Sequence, residues 1–478
     1  MLPSAAWAVY YREGWPFIGL TAATGLSSAL GGALAYVGRR APSRIYHREA
    51  LALVGLSWMV VAAMGALPYL FSGVLGPIDA FFESMSGFTT TGSTVIPDIE
   101  ATAKSILFWR AFTQWLGGVG IVALFIAVLP YLGTGGKLLF RRESTGPDPR
   151  GLRPRIQDTA AVLWKIYIGL TVLETAALMC VGMNLYDALC HTFTTLSTGG
   201  FSTRQASIAA YDSLAIEIVI LLFMLAGATN FALYFEIMRG NWTAMLKDTE
   251  WRLFIGIFLV STLLVTFNLL GLHVTFEPTA TAMANTPDYS PGQAFRNAAF
   301  QVATCMTDTG FSTTDYDAWP YFSRALLLVI LIIGGCAGST AGGVKIVRFL
   351  ILMKMAYYWV ERAFRPRMVR AIRVKDEVID DEVQRKVTTF FALYVMWFTG
   401  AVLFMSLLGL DLDSAVGGVA ACMNNCGPGL GFVGPNSSLD YHLVPPLGKL
   451  FLSLCMVAGR IEFLSILGLL YPSFWRRG

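Results

Sequence analysis

The chain has 478 residues, of which 55% are hydrophobic and only 14% are charged, and its formal net charge is +4. A soluble protein carries about 25% charged residues, so this composition excludes an ordinary soluble protein. Apolar stretches recur along the chain, and each is long enough, or nearly so, to cross ~30 Å of hydrocarbon as a helix. They are 51–72, 161–182, 213–235, 253–272, 322–333, 389–409 and 450–471. We therefore predict an all-α polytopic membrane protein in a lipid bilayer.

The first 48 residues contain one complete predicted span and part of another. Residues 15–37 are apolar and carry no charge, whereas residues 1–11 are too short to cross a bilayer. We expect residues 1–48 to form an N-terminal helical region whose first helix is truncated, so that the extra helical pair is only partial.

The positive charges are concentrated in short segments. Five segments hold 24 of the 35 Lys and Arg residues: 38–48, 131–157, 239–252, 351–386 and 472–478. By the positive-inside rule these segments face the cytoplasm, so the chain crosses the membrane an even number of times between them. Each interval nevertheless holds two long spans and a shorter third segment. The shorter segment must enter and leave on the outer side, which is tolerated only where the backbone is buried in protein or lines water.

A glycine motif occurs four times at near-equal intervals. The copies are TTTGST at 89–94, STGGFST at 197–203, TDTGFSTT at 307–314 and NNCGPGLG at 424–431. We take Gly92, Gly199, Gly310 and Gly427 as the reference glycines. Each motif follows a short predicted helix, here called a pore helix, and precedes an apolar span. The expected N-caps of the pore helices are Asp79, Asp187, Ser290 and Ser414.

The repeated unit is therefore a span, a pore helix, a glycine motif and a second span. We predict four such units in a pseudo-fourfold arrangement around one central pore, preceded by the N-terminal helix. The predicted boundaries are 49–157 for repeat one, 158–252 for repeat two, 253–386 for repeat three and 387–478 for repeat four. Repeat three would include a broken second span and a basic cytoplasmic segment.

Four glycine loops around one axis suit a dehydrated monovalent cation. Rings of backbone carbonyls can replace its water, and glycine permits the backbone conformations that this requires. Ordinary turns or small-residue packing sites are the alternative interpretation, which the fourfold regularity disfavours. Asp308 is the one charged residue among the motifs, and it could face the pore or brace its loop. The predicted filter carbonyls belong to Thr90, Thr91, Gly92, Ser197, Thr198, Gly199, Asp308, Thr309, Gly310, Asn425, Cys426 and Gly427.

The second span of repeat three is too long to be one straight helix. Residues 321–358 would measure ~57 Å as a helix. The segment GGCAGSTAGG at 334–343 has five glycines in ten residues and is expected to break it. A closely packed kink, a phosphate-binding loop without the full pattern, and a flexible intramembrane gating loop are the three interpretations. The predicted gating residues are Gly334, Gly335, Gly338, Ser339, Thr340, Gly342, Gly343 and Lys345.

Arg460 lies in the middle of the last predicted span, 447–471. A guanidinium at that depth is costly unless it faces water or a partner. One interpretation is a buried structural ion pair. The other, which we favour, is that Arg460 projects into the pore below the filter and repels cations until it is displaced.

The motifs resemble those of the Trk/Ktr/HKT superfamily of potassium transporters, and within it the TrkH/TrkG membrane subunits. The resemblance covers nearly the whole chain. It is carried by DAFFESMSGFTTTGSTV (79–95), FWRAFTQWLGGVGI (108–121), STGGFST (197–203), GGCAGSTAGGVKIVR (334–348), NNCGPGLG (424–431) and GRIEFLSIL (459–467).

The resemblance implies K⁺ ions in the pore, selectivity for potassium over sodium, a homodimer with one pore per subunit, and a place in the bacterial inner membrane with the filter mouth outward. It also implies a cytosolic TrkA-like nucleotide-binding ring as regulator, which could dock on the basic segment 351–386. That segment could instead be a solvated face near anionic lipid. No G-x-G-x-x-G follows a predicted strand in this sequence, so nucleotide would be bound by the partner.

Other functions are disfavoured by the sequence. No HExxH, GxSxG or triad pattern suggests an enzyme, and no nucleic-acid partner is expected. The cysteines and histidines show no metal-ligand spacing, so a filter K⁺ is the only predicted metal. A symporter coupling K⁺ to H⁺ or Na⁺, and a sodium-permeable member of the same superfamily, remain alternatives.

Overall fold

The computed structural model describes residues 1–40, 47–132, 152–271, 289–368, 371–374, 377–435 and 440–461. These residues form seventeen α-helices and a two-stranded antiparallel ribbon of β1 (Arg373–Val374) and β2 (Glu377–Val378). The helices are α1 (Leu2–Tyr10), α2 (Gly14–Gly38), α3 (His47–Phe71), α4 (Pro77–Phe88), α5 (Lys104–Leu132), α6 (Leu152–Cys180), α7 (Leu185–Leu196), α8 (Leu214–Gly227), α9 (Phe231–Met238), α10 (Ala244–Lys247), α11 (Thr249–Leu269), α12 (Pro291–Met306), α13 (Tyr321–Ile333), α14 (Ile346–Phe364), α15 (Asp381–Leu407), α16 (Leu412–Asn424) and α17 (Pro446–Ile461).

Five of the described helices are long and apolar enough to cross a membrane unbroken. Their apolar segments are Gly14–Gly38, Ala52–Phe71, Ala161–Cys180, Thr249–Leu269 and Asp381–Leu407. Large apolar side chains on these helices point away from the protein; Val172 is 64% exposed and Leu407 is 81% exposed. Such faces are stable against lipid rather than water. The prediction of a polytopic helical membrane protein is confirmed.

The four predicted pore helices are α4, α7, α12 and α16. The N-cap predicted at Ser290 is confirmed, because its side chain accepts from the Gln293 N–H in a capping box. The caps predicted at Asp79, Asp187 and Ser414 are wrong. These residues lie three positions inside their helices, which begin after Gly76, Asn184 and Asp411. In two of the helices a second capping-type residue three positions earlier takes the role.

Buried apolar clusters connect neighbouring repeats, including the first and the last. One core cluster joins repeat one to repeat four and includes Met85 and Val419, while a second joins repeats two and three and includes Met224 and Val302. The first and last repeats are therefore neighbours, as the predicted pseudo-fourfold arrangement requires. The extra N-terminal helices α1 and α2 pack outside this arrangement, on α3 and α5.

Two spans are interrupted. The predicted break in repeat three is confirmed, because α13 ends at Ile333 and α14 begins only at Ile346. A second interruption was not predicted: α8 and α9 of repeat two meet at an angle of 94°. The predicted basic segments 131–157 and 472–478, most of 38–48, and the end of the last span after Ile461 lie wholly or largely outside the described residues.

Candidate functional site

The four glycine loops have the same backbone conformation. Each begins with a non-glycine residue in the left-handed region, with φ of 55° at Thr90, 54° at Thr198, 56° at Asp308 and 59° at Asn425. Two residues later each has a glycine whose φ is also positive: Gly92, Gly200, Gly310 and Gly427. A β-branched threonine rarely adopts φ above zero. Backbone strain of this kind, repeated in related loops, persists only where the surrounding structure enforces it.

This equivalence corrects the alignment predicted for repeat two. The counterpart of Gly92 is Gly200, and not Gly199, which has no positive φ. The predicted filter set of repeat two, Ser197 to Gly199, is therefore one residue early, and its structural counterpart is Thr198 to Gly200. The sequence could not decide between two adjacent glycines. The positive φ decides, because it is the property for which glycine is needed.

The loops touch one another in a closed cycle. A Cβ added to Gly92 would lie under 3.0 Å from the carbonyl oxygen of Gly199, and one added to Gly200 equally close to that of Thr309. The same holds for Gly310 with Cys426 O, and for Gly427 with Thr91 O. Each glycine thus faces a carbonyl of the next repeat, namely that of the residue preceding its glycine. The contacts run from repeat one to two, two to three, three to four, and four back to one. No side chain fits at these four positions.

The same four glycines line one cavity. Its volume is about 80 Å³, and its wall also includes Ser93, Ser202 and Ser312. The pore helices end at these loops; the C-cap residues of α4, α7 and α12 are Thr89, Ser197 and Thr307. Their partially negative C-terminal ends therefore point at the ring of carbonyls. Arg110 and Arg204 also line this cavity. The feature that suits a cation is therefore the ring of carbonyls at the helix C-termini, and not the cavity wall as a whole.

Buried polar side chains hold the loops from outside the ring. Glu83 of α4 accepts from the Val95 N–H at 2.8 Å and pairs with Arg110 Nε at 2.6 Å. Arg110 also donates to Ser202 O at 2.9 Å, so one ion pair connects the loops of repeats one and two. Removing either partner would leave a buried charge without compensation.

The Asp308 side chain contacts the segment between α13 and α14. It is fully buried, and its Oδ2 would be 3.2 Å from a Cβ added to either Gly334 or Gly343. It also interacts electrostatically with Lys345 and Arg460. Neither carboxylate oxygen has a hydrogen-bond partner among the described residues. Asp308 therefore joins the glycine loop of repeat three to Gly334 and Gly343, at the two ends of the predicted gating loop.

The segment between α13 and α14 lies directly below the ring. The Thr340 hydroxyl donates to Leu196 O at 2.8 Å, at the end of the repeat-two pore helix. The Gly343 N–H donates to Asn424 O at 3.2 Å, at the end of the repeat-four pore helix. Repeats two and four are opposite each other in the cycle. The segment therefore crosses under the axis of the ring.

Other groups fix this crossing segment. The Ala337 N–H donates to Glu250 Oε1 at 2.7 Å, and the Cys336 N–H donates to Ala228 O at 3.0 Å. Lys345 Nζ folds back to donate to Ala341 O. The unpredicted bend of repeat two, at Ala228 to Asn230, provides the pocket that receives the segment, since Phe231 N–H also donates to Gly338 O at 3.0 Å.

Arg460 contacts the crossing segment from repeat four. Its Nη1 donates to Thr340 O at 2.8 Å, and the side chain is almost fully buried. Its Nε and Nη2 have no hydrogen-bond partner among the described residues. Among the described residues no carboxylate is hydrogen-bonded to Arg460. That Arg460 repels cations in the pore stays a prediction.

Several site residues were missed by the sequence reasoning. Asn230 caps α9 after the bend, and its side chain accepts from the Ala232 N–H, so Gly227 followed by Asn230 was a usable signal for the interruption. Glu250 lies at the start of an apolar span and accepts from the Ala337 N–H, a contact between residues far apart in the sequence. Gln114 contacts the repeat-two loop for the same reason and has no local signal.

The fold and the ring of re-entrant loops define a multi-pass helical membrane transport protein. The sequence profile of the TrkH family, described as cation transport protein, matches residues 20–473. The chain belongs to this family. The chain is therefore a transporter and not an enzyme, as are the other members of the family.

Individual relatives agree over nearly their full length. The chain is 38% identical over 473 residues to the Trk system potassium uptake protein TrkH of Salmonella typhimurium strain LT2, which covers 98% of this chain and 94% of that protein. It is 32% identical over 484 residues to the Trk system potassium uptake protein TrkG of Escherichia coli K12, covering 100% of this chain and 95% of that protein.

A solved structure confirms the fold. The crystal structure of the potassium transporter TrkH from Vibrio parahaemolyticus superposes with a TM-score of 0.88 at 36% sequence identity. The match covers 99% of this chain and 96% of that one. The predicted resemblance and the predicted fold class are both confirmed.

Proposed function

We propose that this chain conducts potassium ions as the membrane subunit of a bacterial Trk-type uptake system. The observation that carries the proposal is the closed cycle of four loops, in which each glycine faces the carbonyl of the next loop. The filter carbonyls are those of the corrected set, with Thr198 to Gly200 in repeat two. The names of the relatives in Salmonella typhimurium and Escherichia coli support potassium as the ion.

The chemistry of the ring favours a monovalent cation. The oxygen ligands would be neutral carbonyls with the support of helix C-termini, and the Asp308 carboxylate is turned toward the loop below. Binding by neutral ligands is weak enough for an ion to leave, which conduction requires.

The test is ion flux through the purified protein in liposomes. We expect uptake of potassium and rubidium to exceed uptake of sodium. Equal uptake of the three ions, or uptake of none, would contradict the proposal. Single-channel recordings on the same preparation separate a pore, which gives unitary current steps, from a symporter, which gives only coupled turnover.

We also propose that residues 334–345 form the gate of this pore. A segment that bonds to opposite repeats below the filter blocks the path of an ion, and five glycines give its backbone the freedom to move. Arg460 would add an electrostatic barrier at the same depth, since a partly unpaired buried guanidinium repels a cation.

Arg460→Ala is expected to raise potassium flux several-fold in liposomes. The substitution removes both the hydrogen bond to Thr340 O and the positive charge below the ring. Arg460→Gln is the matched variant, because it keeps a donor for Thr340 O and removes only the charge. An intermediate flux for Arg460→Gln would apportion the two effects. Lower flux of Arg460→Ala at normal protein yield would instead assign Arg460 a structural role.

The location and partners of the chain follow from the same proposal. We place it in the bacterial inner membrane with the ring toward the outside and the basic segments in the cytoplasm, as a homodimer with one pore in each subunit. A cytosolic nucleotide-binding ring would regulate it through the region 351–386. In this region the ribbon of β1 and β2 packs on α14 and α15 through Ile351, Val374 and Val387, so that a partner bound there could pull on α14 and the gate.

A further inference from the structure

One of the four loops differs from the others in how it is held. In repeats one and three the residue before the glycine is a threonine whose hydroxyl hydrogen-bonds a second threonine two positions earlier. The Oγ1 atoms of Thr89 and Thr91 are 2.8 Å apart, and those of Thr307 and Thr309 are also 2.8 Å apart. In repeat four the equivalent residue, Cys426, lies with its Sγ 3.9 Å from Thr304 O.

Repeat two has no side chain at this position, because the residue before Gly200 is Gly199. The space is occupied instead by the carboxamide of Gln114, which comes from α5 of repeat one and is fully buried. Gln114 Nε2 donates to Gly199 O at 2.7 Å, and the Phe201 N–H donates to Gln114 Oε1 at 3.1 Å. The orientation of the amide is fixed chemically, since a backbone N–H can face only an acceptor.

Gln114 and a side chain at position 199 cannot occupy the same space. A Cβ added to Gly199 would lie under 3.0 Å from three atoms of the Gln114 carboxamide, and no backbone atom is among its three nearest neighbours. Gly199 also has an ordinary φ, so its conformation admits any residue. Gly199 is therefore a glycine because Gln114 is present, and not because the loop needs one there.

We propose that Gln114 is a positioning residue for the ion pathway, which sets the direction of the Gly199 carbonyl across the boundary between repeats one and two. It replaces the side chain that the other three repeats carry on their own loops. The carbonyl has a second lone pair, so it can accept from Gln114 and still offer an oxygen lone pair to an ion in the ring. This inference rests on the proposed function, since Gly199 O is one of the carbonyls of the ring.

The test compares potassium-to-sodium permeability ratios in liposomes for three variants. Gln114→Met keeps the approximate volume of the side chain and loses both hydrogen bonds, so we expect the ratio to fall by about tenfold. For Gly199→Thr alone we expect a similar fall in the permeability ratio, because the new side chain meets the Gln114 carboxamide. The double variant Gln114→Ala with Gly199→Thr should recover most of the ratio, since the threonine can pair with Ser197 as Thr91 pairs with Thr89.

Each outcome decides the inference. A Gln114→Met protein with the wild-type ratio would overturn it, and so would a double variant no better than the worse single one. Mutual rescue shows that the two side chains share one space, and Gln114→Met, which keeps the volume, separates the loss of the hydrogen bonds from a general packing role. If a single variant fails to fold while the double variant yields folded, selective protein, the same mutual dependence is shown by yield. If the unmodified chain itself shows no preference for potassium, the proposed function fails, and this outcome is distinct.

Discussion

Gly310→Ser is expected to lower the preference for potassium over sodium by at least about tenfold, measured as the permeability ratio in liposomes. At Gly310 φ is 85°, and an added Cβ would lie under 3.0 Å from Cys426 O. The serine would be strained in its own backbone and would also push the repeat-four carbonyl out of the ring. Flux is expected to fall as well, because the four loops can no longer close on one another.

Gly256→Ala is the control for this substitution. Gly256 is in the transmembrane helix α11, and an added Cβ there would have no neighbour within 4 Å. The alanine should leave both the ratio and the flux unchanged and should slightly favour the helix. A Gly310→Ser protein that keeps the wild-type ratio would show that the ring does not select the ion.

Removing residues 336–343 is expected to raise potassium flux about tenfold or more and to make it insensitive to regulation. The deletion removes the bonds from Thr340 and Gly343 to the opposite pore helices, each of which would stabilise the proposed closed gate by about 1 kcal/mol. The ends of the deleted segment are already close, because the Ile346 N–H donates to Gly335 O at 3.1 Å. The chain can therefore be rejoined there without stretching α13 or α14.

Thr340→Val is the milder companion of this deletion. It has nearly the same shape as threonine and loses only the hydroxyl bonds to Leu196 O and Gly227 O. We expect a smaller rise in flux, with regulation retained. Unchanged flux in the deletion protein would remove the gate from the proposal and leave the ring untouched.

Those features of the site that depend on local backbone chemistry could be predicted from the sequence. Three of the four ring glycines and the break at 334–343 were found, because a positive φ, a close approach of backbones and an unstable helix all demand glycine at a fixed place. The one error in the ring arose where two glycines are adjacent. Only the structure shows that Gly200 has the positive φ and that Gly199 has a different reason to be glycine.

Features that depend on distant contacts could not be predicted. Gln114 and Gly199 are 85 positions apart in the chain, and neither residue is unusual in its own segment. Glu250 and Ala337 are 87 positions apart, with the same consequence. The pore-helix starts were misjudged for another reason: Asn184 and Asp187 can both cap a helix, and local sequence does not rank them.

A ring assembled from four unequal quarters of one polypeptide can evolve one quarter at a time. In an assembly of four identical subunits every substitution appears four times. A pair such as Gly199 and Gln114 would then have to be tolerated in all four subunits. Here the exchange of a threonine for a glycine and a glutamine is confined to one repeat. With the proposed filter, such a protein can adjust the strength of a single oxygen ligand, and its ion preference can be tuned in finer steps than fourfold symmetry allows.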